Sequence, residues 1–149
     1  MVRMSIDFVK KHPDAVLPKR NHDNPSTGDV GYDVFAVEDT VIPARGSAVV
    51  EVGLQLANIT PGYWFRIEAR SGLGFKHSIK PHFGVIDNPY RGDLGIKLYN
   101  DSDADVKIEK GKACAQFIVY EMITAYCRFV EEPTTTDRGA KGFGSSDGN

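Results

Sequence analysis

No run of apolar residues in this sequence approaches the roughly 20 that a membrane-spanning helix needs, and the longest is only a few residues. A helical membrane span is therefore excluded. The opening stretch, Met1-Val2-Arg3-Met4-Ser5-Ile6-Asp7, lacks the apolar core of a secretory signal. The expected compartment is the cytoplasm, or the host cytoplasm if the source is a virus. Cysteine is scarce, with Cys114 and Cys127 alone. They are too far apart for a metal knuckle, and their apolar neighbours predict buried free thiols. The four histidines, His12, His22, His77 and His82, show no ligand spacing, so no protein-built metal cage is expected. An excess of one charge is missing too. Eighteen basic residues stand against 20 acidic ones, for a net charge of −2. Neither nucleic acid nor an anionic membrane is expected as a partner, and any polyanion has to be met by local basic groups.

What is present has a period of two. Tyr63, Phe65 and Ile67 alternate with Trp64, Arg66 and Glu68, and Leu94, Ile96 and Leu98 alternate with Gly95, Lys97 and Tyr99. Val106 and Ile108 repeat the pattern, and Thr40 to Pro43 and Ser47 to Val52 are shorter versions. These read as half-buried strands. Turn residues recur between them: Pro43 to Gly46, Asn58 to Gly62, Gly72 to Gly74, Asn88 to Gly92, Asn100 to Asp103, and Lys110 with Gly111. Many short strands with frequent turns predict an all-β fold, a sandwich or barrel. Ala113 to Phe129 reads as one helix or two strands, and its β-branched and aromatic content favours strands. The body spans residues 1–132. Residues 133–149 contain almost nothing apolar, so they are expected to be a flexible tail that cannot order itself unaided.

Three segments carry candidate chemistry. In Gly84-Val85-Ile86-Asp87-Asn88-Pro89-Tyr90-Arg91-Gly92-Asp93 an apolar strand breaks into a turn at Asp87. That junction holds a carboxylate on rigid backbone, followed at once by a ring, a guanidinium and a second acid. An isolated Asp-Asn-Pro would be a solvated surface turn. In Arg70-Ser71-Gly72-Leu73-Gly74 a strand ends in a fork-shaped cation, a hydroxyl and a glycine whose backbone N–H can reach an anion. A lone Arg-Ser-Gly is more often an ordinary turn. In Arg138-Gly139-Ala140-Lys141-Gly142-Phe143-Gly144-Ser145-Ser146 two cations, several glycines, hydroxyls and one ring suit a clamp on phosphate and base. It is no Walker loop, because no Gly-Lys-Ser/Thr stands at the required spacing. Gln116 lies within an apolar run, where it satisfies a backbone group or donates to a phosphate. Gly95 interrupts a strand, which marks close approach of a ligand or another backbone.

Five segments in order resemble the motifs of the dUTP pyrophosphatase (dUTPase) family. They are Gly31-Tyr32-Asp33-Val34, Arg70-Ser71-Gly72-Leu73-Gly74, Gly84-Val85-Ile86-Asp87 through Tyr90-Arg91-Gly92, Gly111 through Ala115-Gln116, and Arg138-Gly139 through Gly142-Phe143-Gly144-Ser145. The resemblance implies a jelly-roll β fold in a homotrimer, with active sites shared between subunits and closed by the tail. It also implies hydrolysis of dUTP to dUMP and pyrophosphate with Mg²⁺. Asp87 would be the general base. Arg70, Ser71, Gly72, Gln116, Arg138, Gly144 and Ser145 would hold the triphosphate. Tyr90 would press on the deoxyribose, backbone groups from His82 through Gly84, Val85 and Ile86 would read the uracil edge, and Phe143 would stack on the base. Gly95 would give a close approach. Asp33 would touch the metal through water or support the structure. Asn88-Pro89 and Lys80-Pro81-His82-Phe83 depart from the family pattern. Two rival readings share the fold: a relative that deaminates dCTP, and a trimer that binds the nucleotide without turnover.

Overall fold

The computed structural model describes residues 4–142 and 144. Ten strands and one short helix follow in order: β1 (Ile6–Lys10), β2 (Tyr32–Phe35), β3 (Thr40–Ile42), β4 (Ser47–Ile59), β5 (Tyr63–Glu68), α1 (Ser71–His77), β6 (Ile79–Pro81), β7 (Val85–Ile86), β8 (Asp93–Asn100), β9 (Val106–Ile108) and β10 (Ala113–Glu121). One four-stranded sheet runs β1-β4-β8-β6, a second runs β2-β10-β5-β7, and β3-β9 form a ribbon. Every described pairing is antiparallel. The fold is all-β and jelly-roll-like. No helix among the described residues is long and apolar enough to cross a membrane.

The alternation read from the sequence sets which face is buried. On β8, Leu94, Ile96 and Leu98 are buried while Asp93, Gly95 and Lys97 are exposed. On β5, Phe65 and Ile67 point inward. Val50, Val52, Leu54 and Leu56 from β4 and Cys114, Ala115 and Phe117 from β10 complete much of the core. The Phe65 and Phe117 rings meet at 4.5 Å, and Tyr32 stacks on Phe117 at 5.3 Å. Truncating either buried ring to alanine would cost about 3–5 kcal/mol. The buried Asn100 is satisfied: its Nδ2 donates to Ile42 O at 2.9 Å and Ala104 O at 2.8 Å, and its Oδ1 accepts from Ser102.

Four expectations need correction. The stretch from Ala113 to Phe129 forms one strand and then stops. Glu121 pairs with Tyr63, the first residue of β5, so beyond it β5 has no further residue to pair. Met122 N still donates to Gly62 O at 2.8 Å, and residues 123–130 have no regular structure. Second, the Gly72–Gly74 turn is the start of α1. Two glycines, each costing about 1 kcal/mol in a helix, hide a segment that contains no β-branched residue. Ser78 ends it in the left-handed region at φ 55° and donates its N–H to Gly74 O. Third, Cys114 is buried but Cys127 is exposed. Cys127 follows the end of β10, where no other strand covers it. Fourth, β4 runs on past Val52 to Ile59. Gly53 does not end it: at φ 69° it sits in a register shift between Glu51 and Gln55, as a bulge permits.

Candidate active site

β10 lies between β2 and β5, and this brings three predicted residues together. Gln116 stands opposite Asp33 on one side and Glu68 on the other. Just past the end of β5, Arg70 caps α1 and its Nε donates to Asp33 Oδ1 at 3.1 Å. Asp33 is mostly shielded and Arg70 more open, at 16% and 38% side-chain exposure. The terminal guanidinium nitrogens make no hydrogen bond among the described residues, so they remain available to an anion. Gln116 Nε2 donates to Ala69 O at 2.6 Å, which fixes the side chain beside Arg70. Gly31 is buried, and a Cβ there would lie 1.8 Å from Gln116 Oε1. No side chain fits at position 31 while Gln116 holds this pose. Ser71 and Gly72 follow on the exposed first turn of α1, where backbone N–H groups precede the first helical hydrogen bond. A Cβ at Gly72 would meet nothing within 4 Å.

A second group forms where β7 ends. Ile86 pairs with Phe65 and Val85 with Arg66, so the next residue, Asp87, reaches the level of Trp64. Asp87 is exposed, and its carboxylate has no hydrogen-bond or ion-pair partner among the described residues. It lines a groove of about 520 Å³ with Trp64, Val85, Asn88, Pro89 and Met122. The turn is closed by Tyr90 N donating to Asp87 O at 3.0 Å. It is tied down by Asn88, whose Nδ2 faces Ile59 O at 3.2 Å and Thr60 O and Tyr63 O at 3.0 Å each. In the sequence Asn88 reads only as a turn residue that departs from the family pattern. Its structural part emerges when β4 and β5 are seen to supply the three carbonyls. Tyr90 Oη donates to Asp93 O at 2.7 Å, and the ring lies over Gly92, where a Cβ would fall 2.4 Å from that oxygen.

The remaining residues lie apart from these groups. His82 N donates to Lys97 O, and its Nδ1 is 3.2 Å from Tyr99 Oη. Gly84 O accepts from Ile67 N at 3.0 Å, holding the β6–β7 connection against β5. Gly95 is exposed on β8, and a Cβ there would meet nothing within 4 Å. Among the described residues nothing approaches Gly95. Arg138 is exposed, with Nε donating to Lys141 O at 2.7 Å in a local turn. Gly144 has φ 81°. Phe143 and Ser145 lie outside the described residues.

The two principal groups sit at opposite ends of β5. Asp87 is level with Trp64, and Arg70 is six residues further along. At about 3.3 Å per residue the separation is on the order of 20 Å. Each group is well formed, and neither reaches the other within one chain.

The chain's relatives fit this geometry. A family model described as dUTPase matches residues 19–147. The chain is 42% identical over 139 residues to the mitochondrial deoxyuridine 5'-triphosphate nucleotidohydrolase of Dictyostelium discoideum, covering 93% of this chain and 75% of that one. It is 41% identical over 144 residues to the deoxyuridine 5'-triphosphate nucleotidohydrolase of Paramecium bursaria Chlorella virus 1, covering 96% and 99%. Among solved structures, the Staphylococcus bacteriophage 80alpha dUTPase with dUPNHPP superposes with a TM-score of 0.81 at 28% identity, over 95% of this chain and 98% of that one. A dUTPase of Staphylococcus aureus phage phi11, whose structure holds a structural Mg(II) ion, gives 0.75 at 24% identity over 88% and 99%, which speaks for the fold. A match across nearly the whole length, over the strands that carry both groups, places the chain in the dUTPase family.

Proposed function

We infer that this protein hydrolyses dUTP to dUMP and pyrophosphate. The observation that carries the reading is the dUTPase family match over residues 19–147, which includes Asp33, Arg70, Asp87 and Gln116. In the proposed reaction Asp87 takes a proton from a water that attacks the α-phosphorus. A P–O bond forms to the water oxygen. The bond from the α-phosphorus to the bridging oxygen breaks, and that oxygen leaves with its electron pair on pyrophosphate. The open, unpaired carboxylate of Asp87 suits a base that must meet a water. Arg70, Ser71, Gly72, Gln116 and, from the tail, Arg138, Gly144 and Ser145 bind the phosphates. Asp33 holds the Arg70 fork in place. Tyr90 packs on the sugar, the backbone between His82 and Ile86 reads the uracil, and Phe143 stacks on it.

Mg²⁺ fits this residue set. Among the described residues no group of three or more His, Cys, Asp or Glu side chains converges on a point. That suits an ion held mainly by phosphate oxygens and water. Asp33 is the nearest carboxylate to the phosphate-binding group and would touch the ion through water. When bound, the ion neutralises phosphate charge and helps orient the chain of phosphates.

The gap between Asp87 and Arg70 supports a site completed by a second copy, and the family resemblance makes that assembly a homotrimer. A water on Asp87 cannot reach a phosphorus held by Arg70 of the same chain. Ile123 and Tyr126, in the arm after β10, are 87% and 88% exposed, which suits burial against another subunit. The tail, residues 133–149, would then close over the bound nucleotide.

The test is pyrophosphate release from dUTP, with ammonia release from dCTP as the control. Asp87→Asn should keep affinity for a non-hydrolysable dUTP analogue and lose about 10²–10⁴-fold in kcat. Turnover of the Asn variant near wild type would move the base elsewhere. Ammonia from dCTP, without pyrophosphate from dUTP, would replace the whole reading.

A further inference from the structure

A second concave surface adjoins the phosphate-binding group. It is a groove of about 340 Å³ between α1 and the turn joining β9 to β10. Arg70 and Gly72 line it too, with Leu73 and Ile108 among the apolar residues. Lys76 and His77 line it from α1, and Lys107, Glu109 and Lys112 from the other wall. Both walls are fixed by backbone bonds. Lys112 N donates to Glu109 O at 3.1 Å, Gly111 N donates to Ala36 O at 2.8 Å, and Ser78 N closes α1 on Gly74 O.

The charge in this groove is the reverse of the chain's. The protein carries a net −2, yet four permanent cations and one carboxylate line this surface. Arg70 is shared with Asp33, and Lys107 Nζ lies 3.3 Å from Asp39 Oδ2. Lys76 and Lys112 have no carboxylate partner among the described residues. Uncompensated ammonium groups facing each other across a cleft repel one another and attract an anion. Glu109 gives the groove one negative wall position and leaves the balance positive.

We propose that this groove is an anion site that takes the departing pyrophosphate, sharing Arg70 and Gly72 with the phosphate-binding group and adding Lys76 and Lys112, which the uncleaved nucleotide does not use. The proposal rests on the dUTP-hydrolysing reading above. Arg70 and Gly72, where that reading places the triphosphate, belong to its lining, so the leaving diphosphate has an adjoining charged surface to move onto. Lys76 and Lys112 are the groups that distinguish this site from the substrate's own contacts.

The experiment compares wild type with the Lys76→Ala/Lys112→Ala double variant. Pyrophosphate is titrated as an inhibitor of dUTP hydrolysis, and by calorimetry into the resting protein. Inorganic phosphate is the companion probe. Both lysines are exposed, so the variant is expected to fold, and its melting temperature checks this. The expected result is a loss of pyrophosphate affinity of about fivefold or more in both measurements, with kcat and KM for dUTP within about twofold of wild type. The Lys76→Arg/Lys112→Arg variant should keep the affinity. Unchanged pyrophosphate affinity in the alanine variant overturns the proposal. So does a KM for dUTP that rises in step, which would assign the lysines to the uncleaved triphosphate. Inorganic phosphate binding as tightly as pyrophosphate overturns the diphosphate assignment. A wild-type protein that leaves dUTP intact would sink the functional reading alone, because calorimetry still reads the groove.

Discussion

A single primary amide holds the turn that carries Asp87. Asn88 Nδ2 has two hydrogens and faces three carbonyl oxygens, those of Ile59, Thr60 and Tyr63, so at least one bond is shared. Asn88→Asp keeps the shape and removes both donors. The new carboxylate would face three acceptors, shift the turn and displace Asp87. Misplacing a catalytic group by about 1 Å costs on the order of 10²-fold, so kcat should fall by about that much while affinity for a dUTP analogue changes little. Those carbonyls favour the protonated form of the introduced carboxyl, so the variant's activity should decline as pH rises, where wild type does not. Equal kcat in the two proteins would show that the amide is dispensable. Cys114 offers a stability test. Burial pushes its thiol up to about 12. An unfolded chain loses that proton near pH 9, while the folded one keeps it until about 12. Between those values the folded state binds more protons, so stability falls as pH rises. Melting temperatures from pH 8 to 10.5 should decline less steeply in Cys114→Ala than in wild type, and parallel curves would refute the assignment. Both effects rest on neighbours far away in sequence. The carboxylate at the strand-to-turn junction was legible from Ile86-Asp87-Asn88-Pro89 itself, whereas the three carbonyls under Asn88 come from residues 25–29 positions away.

The strands legible in the sequence have both partners on this chain, though β1, β2 and β6, which also pair within it, carried no clear alternation. β5 and β8 alternate because one face of each meets the core, and their side chains record it. The arm after Glu121 has the composition of a strand, with Ile123, Tyr126, Phe129 and Val130, but these side chains are exposed. Composition reports what a segment can pair with, not where that partner is. The helix α1 was hidden for the opposite reason: its glycines read as a turn, while its cap and local hydrogen bonds make a helix. Arm and tail should therefore fail differently when altered. Ile123→Glu with Phe129→Glu should leave the body folded and reduce the assembly to single chains, because a charge at each of two apolar contacts opposes burial. Deleting everything after Asp137 should leave the assembly intact and lower kcat/KM. Light scattering and circular dichroism separate the two cases. An assembly that survives the arm substitutions would show that the arm is not what joins the copies.

At the scale of the whole molecule, the strongest constraint is the length of β5. It keeps Asp87 and Arg70 on the order of 20 Å apart, so the proposed site sets the Asp87 end of one copy against the Arg70 end of another. A closed ring satisfies this for every copy with one repeated contact. The consequence can be measured without a structure of the assembly. Asp87→Asn alone and Arg70→Ala alone should each be nearly inactive. Co-expressed in equal amounts, the two variants form mixed rings. A site works when its Asp87 comes from an Arg70→Ala chain and its Arg70 from an Asp87→Asn chain. With random mixing and a directional contact, about one site in four meets both conditions, so the mixture should recover about a quarter of wild-type turnover. A site contained within one chain would show no recovery, because every chain in the mixture carries one of the two defects. Recovery that disappears when the arm carries Ile123→Glu and Phe129→Glu would tie the shared site to the contact that joins the copies. Recovery that persists in chains shown to be single would refute the shared site.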